Sequence, residues 1–194
     1  MAYVHDPTVL RALAHPVRNR ILGELSAQGP LRAADLSREL GIPANQASFH
    51  LRQLAKYGLV EEAPGEGRDR RDRVWRQVQE ESLDFDLREL EKQPGGPAAA
   101  AVFRSQAASW AHTLVDAAHT VGPQEGVHRA VTEQSLRLTE DEALALTQEL
   151  SDLLQDWRRR TRGRDASRRT YVFLSMLQPH PDSPGAPDAQ PARP

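Results

Sequence analysis

Apolar residues recur along the chain at three- and four-residue intervals, the spacing of a buried helix face. The clearest stretch runs from Asp35 to Val60. Leu36 and Leu40 mark a short helix, and Ala47, Leu51 and Leu54 mark a longer one. Gly41 lies just past Leu40, where a helix end favours a residue that tolerates positive φ. Upstream, Asp6-Pro7 opens a helix with Val9, Leu10 and Leu13 inside. A second helix runs from His15 to Leu25 with Val17, Ile21, Leu22 and Leu25 inside, and Gly29-Pro30 ends it. After Val60 the texture changes. Two strand-like runs flank Pro64-Gly65-Glu66-Gly67 and an Arg-rich stretch, predicting a β-hairpin.

The second half follows a different pattern. Leu83, Phe85, Leu87 and Leu90 predict a short helical connection within 80–97, and Pro94-Gly95-Gly96-Pro97 predicts a hinge. Ala98 to Val121 carries Phe103, Ala107, Trp110, Leu114, Ala117 and Val121 on one stripe, a face suited to packing on a second copy. His128 to Leu138 predicts a strand. Thr139 and Glu142 form a capping box for a helix with Ala143, Leu146, Leu150, Leu153, Leu154 and Trp157 on one side. Thr170 to Leu177 predicts a buried strand. His180 to Pro194 carries five prolines and few apolar residues, which predicts a disordered tail. The predicted class is mainly α: an N-terminal winged helix-turn-helix (1–79), the connection (80–97), a C-terminal α/β dimerisation or effector module (98–178), and the tail (179–194).

Two helices joined by so short a turn form a helix-turn-helix, whose second helix can enter the major groove of DNA. Its predicted outward face bears Asn45, Gln46, Ser48, Phe49 and Arg52. Asn and Gln can pair with adenine, Arg with guanine, and an exposed ring can meet a thymine methyl. Arg32 is a candidate phosphate contact, as are Arg68, Arg70, Arg71 and Arg73 in the hairpin wing. Charge is divided accordingly. Residues 1–79 hold 12 Lys and Arg against 9 Asp and Glu, and the remainder 13 against 18, so a basic head precedes an acidic body.

The runs LRALAHPVRNRILGEL and ADLSRELGIPANQASFHLRQLAKYGLVEE, followed by the Arg-rich hairpin, resemble the ArsR-type winged helix-turn-helix regulators over about residues 7–79. The matching positions are Leu13, Ala14, Pro16, Arg18, Ile21 and Leu22, then Ser48, His50, Leu51 and Leu54, then Gly58, Leu59 and Val60. The resemblance implies a DNA-binding repressor working as a homodimer. It places Ser48 and His50 at the DNA face of the recognition helix and makes Arg18 a structural or phosphate-side residue. Two departures stand out. Pro43 occupies a position where the family often has Ser or Thr. Ala33, Ala34 and Asp35 stand where metal-sensing members carry a Cys pair.

The chain has no Cys, which excludes disulfides, thiolate metal sites and thiol redox sensing. A Zn- or Ni-responsive alternative rests on His112, Asp116 and His119, which share one helix face at i, i+4 and i+7. No phosphate loop, nucleophile elbow or HExxH motif suggests an enzyme or a cofactor. The sequence has neither a membrane-length apolar run nor a signal-peptide core, so a cytoplasmic location is expected. The reading is a cytoplasmic, homodimeric transcriptional regulator of double-stranded operator DNA. Residues 98–178 would read a signal such as a small apolar effector held between Trp110 and Tyr171. The alternative is a winged-helix module that binds protein instead of DNA.

Overall fold

Asp6 has extended backbone, and its carboxylate accepts from the Thr8 N–H at 2.8 Å, so the first helix begins at Pro7 as its capping chemistry requires. In the computed structural model, which describes residues 2–3, 6–67, 73–78, 83–84, 86–122, 124–163 and 165–180, the chain starts with strand β1 (Ala2–Tyr3). Then come α1 (Pro7–Leu13), α2 (Pro16–Gln28), β2 (Leu31–Arg32), α3 (Ala33–Leu40) and α4 (Ala44–Lys56). Strands β3 (Val60–Glu62) and β4 (Val74–Gln77) form the hairpin, and β5 (Leu83–Asp84) pairs in parallel with β1. Three helices complete the chain: α5 (Leu87–Glu91), α6 (Gly96–Thr120) and α7 (Glu140–Thr161).

The predicted apolar stripes form one core. Ile21 and Leu25 of α2, Leu36 and Leu40 of α3, and Ala47, Leu51 and Leu54 of α4 close on Leu31, Val60 and Trp75. Gly41 takes the left-handed conformation (φ 65°) that the turn between α3 and α4 demands. The Ser37 hydroxyl donates to the Ile42 carbonyl at 2.6 Å and the Arg20 guanidinium donates to the Leu40 carbonyl at 3.2 Å, satisfying carbonyls at that turn. The sheet order is β2-β4-β3, antiparallel throughout. Glu61 faces Arg76 across the hairpin, and the two are bonded at 2.8 Å. The architecture is a mainly helical winged helix-turn-helix.

A smaller cluster of Leu10, Leu90, Ala99 and Ala100 fastens α5 and α6 to α1, and Phe103 touches both clusters. At the predicted hinge Pro94, Gly95 and Pro97 are exposed, and α6 begins. Gly96 is buried there, and a Cβ on it would lie 1.9 Å from the Leu90 carbonyl oxygen. Arg104 reaches back to Glu91 at 2.6 Å. Both partners are shifted toward their charged forms, mainly by this hydrogen bond.

The C-terminal half departs from the predicted α/β module. Its two helices form, and Thr139 and Glu142 cap α7 as the sequence implies: the Thr139 N–H donates to Glu142 at 2.7 Å. The predicted strands do not form. Residues 128–138 and 170–177 are extended, exposed chain without strand pairing. A strand needs a neighbour to take its N–H and C=O groups, and among the described residues no backbone group of 130–138 or 171–177 is hydrogen-bonded. Helix α7 buries none of its residues. Among the described residues no helix is long and apolar enough to cross a membrane. Residues 181–194, which cover nearly all of the predicted tail, lie outside the described set.

Candidate nucleic-acid interface

Helix α4 divides into two faces by its own periodicity. Ala47, His50, Leu51 and Leu54 point into the core. On the opposite side Asn45, Phe49, Arg52 and Lys56 lie at i, i+4, i+7 and i+11, and all four are exposed, Phe49 at 51%. Gln46 is exposed on one flank of that stripe and Ser48 half-buried on the other. The helix contains no acidic residue. Arg52 and Lys56 make no ion pair with the described residues. The Asn45 carbonyl oxygen accepts from the Gln46 N–H at 2.9 Å, leaving its amide group free to donate. Pro43 serves as N-cap without a side-chain bond, so the first amides of α4 have no side-chain acceptor there.

Two of the predicted contacts belong elsewhere. His50 is 5% exposed and faces inward, because a step of 100° per residue places it within about 60° of Ala47 and Leu54 and about 100° from Phe49. Its ring lies 4.5 Å from that of His15, the N-cap of α2, and edge-on to Phe49 at 5.3 Å. The Nδ1 atoms of both histidines and Nε of Arg18 are buried without partners. Burial first, then the Arg18 charge, lowers the pKa of His15. His50 is lowered by burial first, then by His15 and Arg18. Arg18, half-buried beside the two rings, is the residue that the resemblance made structural or phosphate-side. Arg32 is the second correction. Its guanidinium is bound to the buried Asp35 carboxylate at 2.9 and 3.0 Å, and Arg38 reaches the same carboxylate at 2.6 Å.

Arg73 of the wing is exposed and paired with Glu62 at 3.3 Å, while Arg68, Arg70 and Arg71 lie outside the described residues. Lys56 was missed by the sequence reading. Its signal was present, since it continues the Asn45–Phe49–Arg52 stripe by one more turn. His112, Asp116 and His119 are exposed on α6, and no three His, Asp or Glu residues among those described are grouped to hold a metal. His119 bonds the Val115 carbonyl of its own helix at 2.9 Å. Trp110 and Tyr171, expected to enclose an effector, are 41% and 57% exposed.

Residues 13–63 match a family described as a helix-turn-helix domain. No curated protein sequence matches the chain. Among solved structures, a mutant of ZitR from Lactococcus lactis in apo form aligns at 15% identity, covering 77% of this chain and 88% of that one (TM-score 0.32). NMB1585, a MarR family regulator from Neisseria meningitidis, aligns at 17% identity, covering 80% and 84% (TM-score 0.32). A MepR mutant from S. aureus bound to an oligodeoxyribonucleotide aligns at 15%, covering 77% and 91% (TM-score 0.26).

Proposed function

We propose that the chain is a sequence-specific DNA-binding transcriptional regulator and not an enzyme: a homodimer of ArsR-like type that represses by occupying a two-fold operator. The reading is carried by the acid-free outer stripe of α4. Asn45 and Arg52 bring hydrogen-bonding groups suited to adenine and guanine edges, Phe49 an apolar contact for a thymine methyl, and Lys56 a phosphate contact. The stripe is supported from behind by the best-packed part of the core, which is what a recognition element needs to hold its register. The hairpin beside it would grip the backbone.

A signal acting on 98–178 would relieve repression by changing how the two heads are spaced, which requires differential binding of about 1–3 kcal/mol between two states. The test is binding of the purified chain to its own upstream DNA against a scrambled duplex across a salt series. Selective binding with a steep salt slope is expected. Arg52→Ala should weaken the selective complex by about 1–3 kcal/mol, and Lys56→Ala should lower the salt slope by about one unit. Equal, weak binding to both duplexes, unchanged by either substitution, would refute the DNA assignment.

A further inference from the structure

We propose that residues 128–138 and 170–177 pair with a second copy of this chain, building an intermolecular sheet covered by α7. This shares the two-fold assembly with the function proposed above but not the DNA contact, so each can fail alone.

Both segments have the composition of paired strands but none of the pairing. The backbone groups of 130–138 and 171–177 form no hydrogen bond with any described residue. The segments are held only by side chains: Tyr171 accepts from the His128 N–H at 3.2 Å, and the Thr170 hydroxyl donates to Glu24 at 2.7 Å. Val131, Leu136, Val172, Phe173 and Met176 are 55–76% exposed. Between the segments lies α7, with Leu153 and Trp157 more than half exposed. Two segments of strand composition and the helix between them thus leave apolar side chains in water, a pattern that marks an interaction surface.

The area is sufficient for a dimer. The chain exposes 14420 Å², against about 9,200 Å² for a compact monomer of this mass. Assigning the 29 residues outside the described set the full area of an unfolded chain leaves the rest roughly 1,500 Å² above its compact value. A standard interface takes about 800 Å² from each partner.

The occupant is a second copy for two reasons. The head offers the segments little to dock on, since among the described residues the only large apolar residues exposed before residue 100 are Phe49 and Val78. The segments are also their own complement. Residues 170–177 carry no charge, so nothing there selects a charged partner. An antiparallel two-fold pairing about Val131, which joins residues 128–134 of the two chains, sets Arg129 of each opposite Glu133 of the other.

The test joins sedimentation equilibrium of the full chain with backbone hydrogen–deuterium exchange, without DNA. A particle of twice 21.6 kDa is expected, with amides in 130–138 and 171–177 slowed at least about 100-fold relative to unstructured chain. Phe173→Asp and, separately, Val172→Pro should raise the dimer dissociation constant at least about 100-fold, whereas Trp110→Ala should change it little. Helical circular dichroism and cooperative unfolding of the head report whether each variant remains folded, and neither segment contributes to the head's core. A monomer overturns the proposal, whether or not its segments are protected. So does a dimer whose segments exchange freely, or one weakened by Trp110→Ala and untouched by both segment variants.

Discussion

Acidification from pH 8 to 5.5 should destabilise the head through the His15–His50 pair. The two rings lie 4.5 Å apart at an inclination of 51°, each with a buried Nδ1 that has no partner among the described residues, beside the Arg18 guanidinium. Both are lowered from an ordinary value of 6.5. The unfolded chain therefore takes up protons first, and stability contributed by the neutral pair is complete above 6.5 and is lost as pH falls below it. At pH 5.5 an imidazole kept neutral by folding costs RT ln 11, about 1.4 kcal/mol, so the pair costs at most about 3 kcal/mol. In urea that is a shift of the midpoint by roughly 1–2 M. Carboxylates, with ordinary values near 4, contribute little above pH 5.5. Urea unfolding followed by circular dichroism at the two pH values measures the loss. His50→Leu should halve it, while the exposed His112→Gln should leave it intact. A midpoint that does not move with pH, or one that moves equally in His50→Leu, would refute the assignment of the pair. DNA affinity should fall in the same window, since His50 belongs to α4.

Three further outcomes follow from local geometry. Gly96→Ala places a methyl 1.9 Å from the Leu90 carbonyl oxygen, so thermal unfolding should report a loss of about 1–3 kcal/mol. Asp35→Ala removes the acceptor of the Arg32 bonds at 2.9 and 3.0 Å and of the 2.6 Å bond from Arg38. A loss of about 3 kcal/mol is expected by urea titration. Phe49→Ala should leave stability within about 0.5 kcal/mol, because the ring is half exposed. It should nonetheless reduce discrimination between the upstream and scrambled duplexes about fivefold in a competition assay.

The head was legible in the sequence because its information is local. The Asp6-Pro7 start, the Gly41 turn and the Leu36–Leu54 stripe each depend on neighbours within a few residues, and each stands where the pattern predicted it. The errors lie where a polar residue's partner is not part of the apolar pattern. His50 looks like a surface residue by type, and only its phase relative to Ala47 and Leu54 reveals that it packs against His15, 35 positions away. Arg32 read as a free cation because Asp35, three residues on, had been counted only as a helix position. The strands at 128–138 and 170–177 have strand composition, but pairing is a relation between segments, and the sequence does not say whose segment provides the other half.

The routes by which the second half touches the head constrain any regulation. Helix α6 packs on α1 through Leu10, Ala99 and Ala100, and α7 lies against α2, with Arg162 at Gly29 and Thr170 bonded to Glu24 nearby. One route ends on α1 and the other on the C-terminal part of α2. Both helices are joined to α4 by a continuous close-packed core, and His15, the N-cap of α2, meets His50 of α4 with ring centroids 4.5 Å apart. A displacement arising in 98–178 therefore carries the head as one body and does not bend α4 within it. For a two-headed assembly, the quantity that such a displacement changes is the separation and relative rotation of the two recognition helices, which DNA reads against its own helical repeat.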